Sequence, residues 1–260
     1  MKKTLLSALM ALTVTTFSAG VAVAASSTFT PEQEKAIGTI AADYLREHPE
    51  LLVEMSQKLQ QQAQDEQSSQ AVSAVLKNQD ALLNEPTSPV LNPKGAVAVI
   101  QFFDYQCIYC AKVAPVVEQF ISNNPDVRYI YKEWPIFGNR WPASIEAAKT
   151  GLAVYREKGA DAYHRYHAAI YDTGHNEGKL TGDDIRAAAA KAGVKDLPEN
   201  IADGSGLAAN QVLAKRLQIQ GTPAFIVMPV QGANAGNVSF IGGAAELSTL
   251  QAAYDKARGN

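Results

Sequence analysis

The sequence predicts an α/β domain preceded by a wholly helical N-terminal region, and three observations carry that expectation. Residues 96–103 (AVAVIQFF) are a continuous apolar run, as a central strand covered on both faces requires. Strand-like runs recur at 127–131, 224–230 and 238–241, separated by helix-like stretches, whereas residues 26–85 contain none. At 260 residues, 47% hydrophobic and 19% charged, the chain can bury a core unaided, and two cysteines are too few for a disulfide framework. A formal charge of −3 excludes a generalised basic surface, so no nucleic-acid partner is expected.

The first 24 residues read as a cleaved signal peptide. Lys2 and Lys3 precede an interrupted apolar stretch over 5–23, and Ala22-Val23-Ala24 places small residues where a signal peptidase cuts. No basic stop-transfer flank follows, which argues against a membrane anchor. Cleavage reduces 23 basic residues to 21 against 26 acidic ones, a formal −5. Export implies the periplasm, an oxidising place where disulfides persist.

Thr30-Pro31-Glu32-Gln33 is a helix start: a hydroxyl N-cap, proline at the first helical position and Gln three after the cap. Ile37, Ile40, Tyr44 and Leu45 follow at helical spacing until His48-Pro49 breaks the run. A second helix from Pro49 carries Leu52, Met55 and Leu59 on one stripe. Residues 60–70 are Gln-rich and have almost nothing to bury, so they form either a solvent-bridging helix or a flexible linker. The apolar patch over 37–59 must then pack on something, its own domain or, preferably, copies of itself.

From Pro89 strands and helices alternate. Strand 96–103 leads into a helix over about 107–121, then a strand at 127–131. Helices are expected near 142–158, 161–171, 181–192 and 206–218, then two strands and a final helix over 245–257. Tyr163, Tyr166, Ile170 and Tyr171 read as core of this helical stretch, and His48, His164, His167 and His175 as surface residues.

The chemistry-bearing motif is Cys107-Ile108-Tyr109-Cys110, directly after a buried strand and opening a helix. A structural bridge closing so short a loop adds only about 2 kcal/mol. Zinc would need two further ligands, and no second cysteine pair exists. A thiolate at a helix N-terminus, by contrast, is stabilised by unpaired N–H groups and the macrodipole. Cys107 is thus expected to be an exposed attacking sulfur, and Cys110, one turn in, the resolving one.

These residues, Phe102-Phe103-Asp104-Tyr105-Gln106-Cys107-Ile108-Tyr109-Cys110 with Gly221-Thr222-Pro223-Ala224-Phe225, resemble the DsbA-like class of thioredoxin-fold proteins. The resemblance implies a cis-proline at Pro223, preceded by Thr222, lying against the cysteine pair. The long separation of the two motifs fits a thioredoxin fold with an inserted helical domain, about 136–218. Phe29-Thr30-Pro31-Glu32-Gln33 and His48-Pro49-Glu50-Leu51-Leu52 resemble the N-terminal region of the suppressor-of-copper-sensitivity C (ScsC) type trimeric isomerases. That implies an oligomerisation region and linker over 25–88 ahead of a catalytic domain over 89–260.

Two departures from the monomeric oxidase pattern stand out. Ile108-Tyr109 lacks the histidine that assists the oxidase thiolate. Gln101 stands where the family has a buried carboxylate, so Asp104 or Glu133 is left to take the proton. The resemblance therefore implies a periplasmic, homo-oligomeric disulfide isomerase or reductase, a trimer favoured. It would act on exported proteins with thiols or wrong disulfides and exchange electrons with a membrane redox partner. Catalytic residues would be Cys107, Cys110, Thr222 and Pro223, with no cofactor beyond the cysteine pair. A dithiol oxidase is the alternative, and a periplasmic Cu(I)-binding protein the alternative of another class.

Overall fold

The computed structural model describes residues 29–196 and 205–259; the expected signal peptide lies outside the described residues. The chain divides into two compact units, one ending at Leu59 and the other starting at Gln60.

In the first unit, α1 (Pro31–Glu47) opens with the expected reciprocal cap. Thr30 Oγ1 accepts the Gln33 N–H at 3.3 Å and Gln33 Oε1 accepts the Thr30 N–H at 2.8 Å. His48 ends the helix, its ring against Tyr44. The helix α2 (Glu50–Lys77) begins in this unit. None of α1 is buried, and Ile37, Ile40, Tyr44, Leu45, Leu52, Val53, Met55 and Leu59 are all exposed.

In the second unit, residues 60–70 are helical, as one of the two readings of that stretch expects. Gln, Ala, Glu and Asp side chains tolerate a solvated helix, and Gln61 Nε2 donates to Asp65 one turn on at 2.8 Å. Further along, Val75 of α2 and Leu82 and Leu83 of α3 (Gln79–Leu83) are buried, so helical residues upstream of Pro89 contribute to this unit's core.

Five strands form one sheet in the order β1-β3-β2-β4-β5. The central β2 (Val97–Phe103) is buried at every residue, runs parallel to β3 (Arg128–Glu133) and antiparallel to β4 (Ala224–Pro229). The edges are β1 (Val90–Leu91) and β5 (Ser239–Gly242), both antiparallel to their neighbours. Alternation along β2 splits the core: Val97, Val99 and Phe103 face one apolar cluster, Ala98, Ile100 and Phe102 the other. On the first face lie α4 (Ile108–Asn123), which connects β2 to β3, and the closing helix α9 (Leu247–Arg258). Between β3 and β4 come α5 (Ala143–Lys158), α6 (Ala160–Tyr171), α7 (Gly182–Lys191) and α8 (Ser205–Arg216). The first three of these add to the first face, whereas α8 packs with α3 on the second.

One surface expectation is overturned. His167 is buried, enclosed by the rings of Phe103, Tyr105, Tyr131 and Tyr171. It lies four residues after Tyr163 and three before Ile170, on the buried stripe of α6. Tyr163, Tyr166 and Ile170 are core residues as expected.

Candidate active site

The strand β2 stops at Phe103, and the chain turns through Asp104-Tyr105-Gln106 into α4. The Cys107 N–H donates to the Asp104 carbonyl at 3.0 Å, which leaves Cys107 in extended conformation as the N-cap of α4. As a neutral thiol its side chain makes no capping bond, which leaves the S–H to be donated elsewhere. Across the sheet, the Thr222–Pro223 peptide is cis and leads into β4, where Ala224 pairs with Phe102. The Cys107 thiol donates to the Thr222 carbonyl at 3.2 Å. Cys107, Cys110, Thr222 and Pro223, separated by more than a hundred residues of sequence, thus converge at one end of the central strands.

The two unbridged cysteines have opposite electrostatics. A hydrogen bond from the Cys110 thiol brings Cys107 down to about 6; burial opposes this, and the Thr222 hydroxyl and the Cys110 and Tyr109 N–H groups assist. Burial pushes Cys110 well up, and its contact with the Cys107 sulfur adds to that. Cys107 is 4% exposed and Cys110 not at all, which corrects the expectation of an exposed attacking sulfur. Of the two residues Cys107 is still the more accessible, as expected. Tyr109, by contrast, stands 58% exposed beside them.

Asp104 ties the turn together. Its carboxylate accepts the Gln106 N–H at 2.8 Å, the Phe137 N–H at 2.9 Å and the Ser144 hydroxyl at 2.8 Å, while its carbonyl also accepts the Tyr171 hydroxyl at 3.3 Å. Burial raises its pKa, with the three bonds to the carboxylate opposing. Glu133 is fully enclosed and pushed well up by burial, accepting hydroxyls from Tyr163 at 2.6 Å and Tyr105 at 3.0 Å. Gln101 is buried and accepts the Tyr129 hydroxyl at 2.6 Å. The hydroxyl partners of Glu133 come from distant segments, so only the apolar context of the strand could have flagged it in sequence. Among the described residues no three His, Cys, Asp or Glu side chains are grouped to hold a metal ion.

Residues 98–255 match the DSBA-like thioredoxin domain. The chain belongs to that family. It is a DSBA-like thiol–disulfide oxidoreductase, with the expected thioredoxin fold behind a helical N-terminal region. Residues 33–66 match a second family, the copper resistance protein ScsC N-terminal domain. Among solved structures, Salmonella enterica Typhimurium BcfH is 39% identical, covers 87% of this DSBA-like chain and 96% of its own, and superposes with a TM-score of 0.75. Proteus mirabilis ScsC in a transitional conformation is 26% identical over 89% of this chain and 100% of its own, TM-score 0.61. A periplasmic thioredoxin-like protein from Salmonella enterica serovar Typhimurium is 28% identical over 70% of this chain and 95% of its own, TM-score 0.59. No match was found among curated proteins.

Proposed function

We propose that this DSBA-like protein is a periplasmic disulfide isomerase, an oligomer and by preference a trimer, that reshuffles wrong disulfides in exported proteins. The observation that carries the exchange chemistry is the placement of Cys107 at the N-cap of α4 against the Thr222 carbonyl, with Cys110 buried one turn in, an arrangement that lowers Cys107 to about 6 and pushes Cys110 up. At neutral pH Cys107 is then a thiolate while Cys110 keeps its proton. The Cys107 thiolate attacks one sulfur of a substrate disulfide, the S–S bond breaks, and the other substrate sulfur leaves as a thiolate. If a substrate thiolate attacks the mixed disulfide, Cys107 is regenerated with no net electron transfer, which is isomerisation. If instead Cys110 loses its proton and attacks Cys107, substrate departs reduced and the Cys107–Cys110 disulfide remains. A membrane electron donor then returns the pair to dithiol. No cofactor beyond the pair takes part. Thr222 and Pro223 flank the sulfur, the Thr222 hydroxyl supporting the thiolate.

The apolar residues of α1 and early α2, exposed in a single copy, support self-association, with residues 25–88 as oligomerisation region and linker. Isomerisation over oxidation rests on that oligomer and on Ile108-Tyr109, which bring no positive charge to the thiolate. The signal-like N-terminus and the periplasmic relative support the compartment.

The lowered Cys107 pKa also favours the dithiol over the disulfide, and on that observation an oxidase is the second reading. Cu(I) carriage is favoured only by the description of the N-terminal match, and the site offers such an ion just two sulfurs. Reactivation of scrambled ribonuclease, run beside oxidation of reduced ribonuclease, separates the readings. The isomerase reading expects the mature dithiol protein to reactivate the scrambled form. Oxidation without reactivation would make it an oxidase, and tight Cu(I) binding with neither activity would make it a carrier.

A further inference from the structure

Gln106, the residue before Cys107, is fully buried, and nearly all its hydrogen-bonding capacity is directed at two places. Its N–H donates to Asp104 Oδ1. Its carbonyl accepts the Glu177 N–H at 3.1 Å, and its side-chain Oε1 accepts the Gly178 N–H at 2.7 Å. Its Nε2 is buried without a partner, an arrangement that an apolar residue of the same size would avoid. The acceptor half of the amide is therefore what this position requires.

The turn it grips, between α6 and α7, is unusual in its own right. Gly174, Glu177 and Gly178 have φ of 67°, 51° and 93°, so a side-chain-bearing residue sits in the left-handed region beside two glycines. Such a backbone persists where its surroundings over-determine it, and those places cluster at functional sites. Here Gln106 holds it from one side. Trp141 closes another, since a Cβ on Gly178 would lie 2.7 Å from Trp141 Nε1. At the far end His175 and Thr181 both bond the Asp184 carboxylate, which completes the capping box that Thr181 opens on α7.

Cys107 thus has the Thr222 carbonyl on one flank and, through its neighbour Gln106, the Glu177-Gly178 turn on the other. His175, Glu177, Gly178 and Lys179 are exposed along the turn, as is Tyr109 on α4. With Cys107 only 4% exposed, a disulfide carried on a polypeptide reaches it only if that polypeptide lies across such surfaces. We propose that Gln106 is a positioning residue, which fixes the Glu177-Gly178 turn beside Cys107 as a wall that the polypeptide substrate lies against. The inference rests on Cys107 being the attacking sulfur.

The test uses the full mature chain with Gln106→Met, which keeps size but loses the acceptor, and Gly178→Ala, which disturbs the turn from the Trp141 side. Each is assayed with scrambled ribonuclease and with glutathione disulfide, and the pH midpoint of Cys107 alkylation is recorded. Both variants are expected to raise KM for ribonuclease about fivefold, the scale of one lost hydrogen bond. Reaction with glutathione disulfide and the alkylation midpoint near 6 should not move. An unchanged KM in both variants overturns the wall. So does an equal loss towards glutathione disulfide, because the turn would then act only through the sulfur. If Gln106→Met does not fold, Gly178→Ala decides alone. A wild type inert towards both disulfides would sink the exchange reading itself, and the wall with it.

Discussion

At Cys107 the thiolate is held by hydrogen-bond donors rather than by a neighbouring charge, and that has a redox consequence. A pKa near 6 stands about 2.5 above the ≈ 3.5 of DsbA. At about 30 mV per tenfold for a two-electron couple, the pair should be more reducing than DsbA's ≈ −120 mV by about 75 mV. A potential of about −195 mV, by equilibration with glutathione, is therefore expected; a value at or above that of DsbA would contradict the isomerase reading. The Thr222 hydroxyl is buried with no other partner and lowers the Cys107 pKa, so Thr222→Val should raise the alkylation midpoint and slow alkylation at pH 6 by about threefold. An unmoved midpoint would remove Thr222 from the site. His167 titrates in the opposite sense to a stabilising histidine. Burial, with the nearby His164 charge, holds it down to about 3, and neither ring nitrogen has a partner. Unfolded, it binds a proton near 6.5, so between pH 6.5 and 3 the unfolded chain holds a proton that the folded chain lacks. Stability is lost as pH falls through that window, by on the order of 5 kcal/mol at its foot. The pH slope of urea-unfolding stability between 6 and 4 should drop by about one proton in His167→Phe, and an identical slope would refute this account.

Among the elements, those with local signals were legible and those with distant partners were not. The cap of α1, the buried run of β2 and the strand-to-helix placement of Cys107 are all readable over a few residues. The strand β3 reads as ending at Tyr131, because Lys132 and Glu133 look like solvent-facing charges, yet it runs through both. Lys132 Nζ donates to the Ala81 carbonyl at 3.0 Å and Ser88 Oγ at 2.9 Å, and Glu133 is satisfied by Tyr105 and Tyr163. No local pattern announces such partners. The two-residue strand β1 is equally silent, because its pairing with β3 spans about forty residues. The site shows the same division. The cysteines and the Thr222-Pro223 step were legible as motifs, whereas Gln106 has its partners seventy residues away. Where β2 begins, Gly95 has a requirement that composition does not reveal: a Cβ would collide with the backbone of Asp126 and Arg128. Backbone on both sides cannot step aside as a side chain can. Gly95→Ala should therefore cost about 1–3 kcal/mol in urea unfolding, and a cost below about 0.5 would mean that the β2–β3 junction yields.

For the whole molecule, the question is why an exchange enzyme carries a helix with no buried residue, α1, followed by an exposed apolar stretch of early α2. Ile37, Ile40, Tyr44 and Leu45 on α1 and Leu52, Val53, Met55 and Leu59 on α2 are more apolar surface than a soluble monomer usually leaves in water. The proposed self-association through them would also supply what reshuffling needs. A misbridged substrate released from one Cys107 must meet another before it diffuses away, and linked sites present each other at about millimolar effective concentration. Ile40→Asp with Leu52→Asp places two charges on this face without removing any buried side chain. The mature variant should sediment as a monomer and reactivate scrambled ribonuclease at least about tenfold more slowly per Cys107, well within the roughly hundredfold or more that linked sites can add. Its reaction with glutathione disulfide should be unchanged, because one sulfur suffices for a small disulfide. A monomeric variant that reshuffles at the wild-type rate would separate oligomerisation from catalysis and leave the helices needing another role. A variant that stays oligomeric would mean that other surfaces hold the copies together.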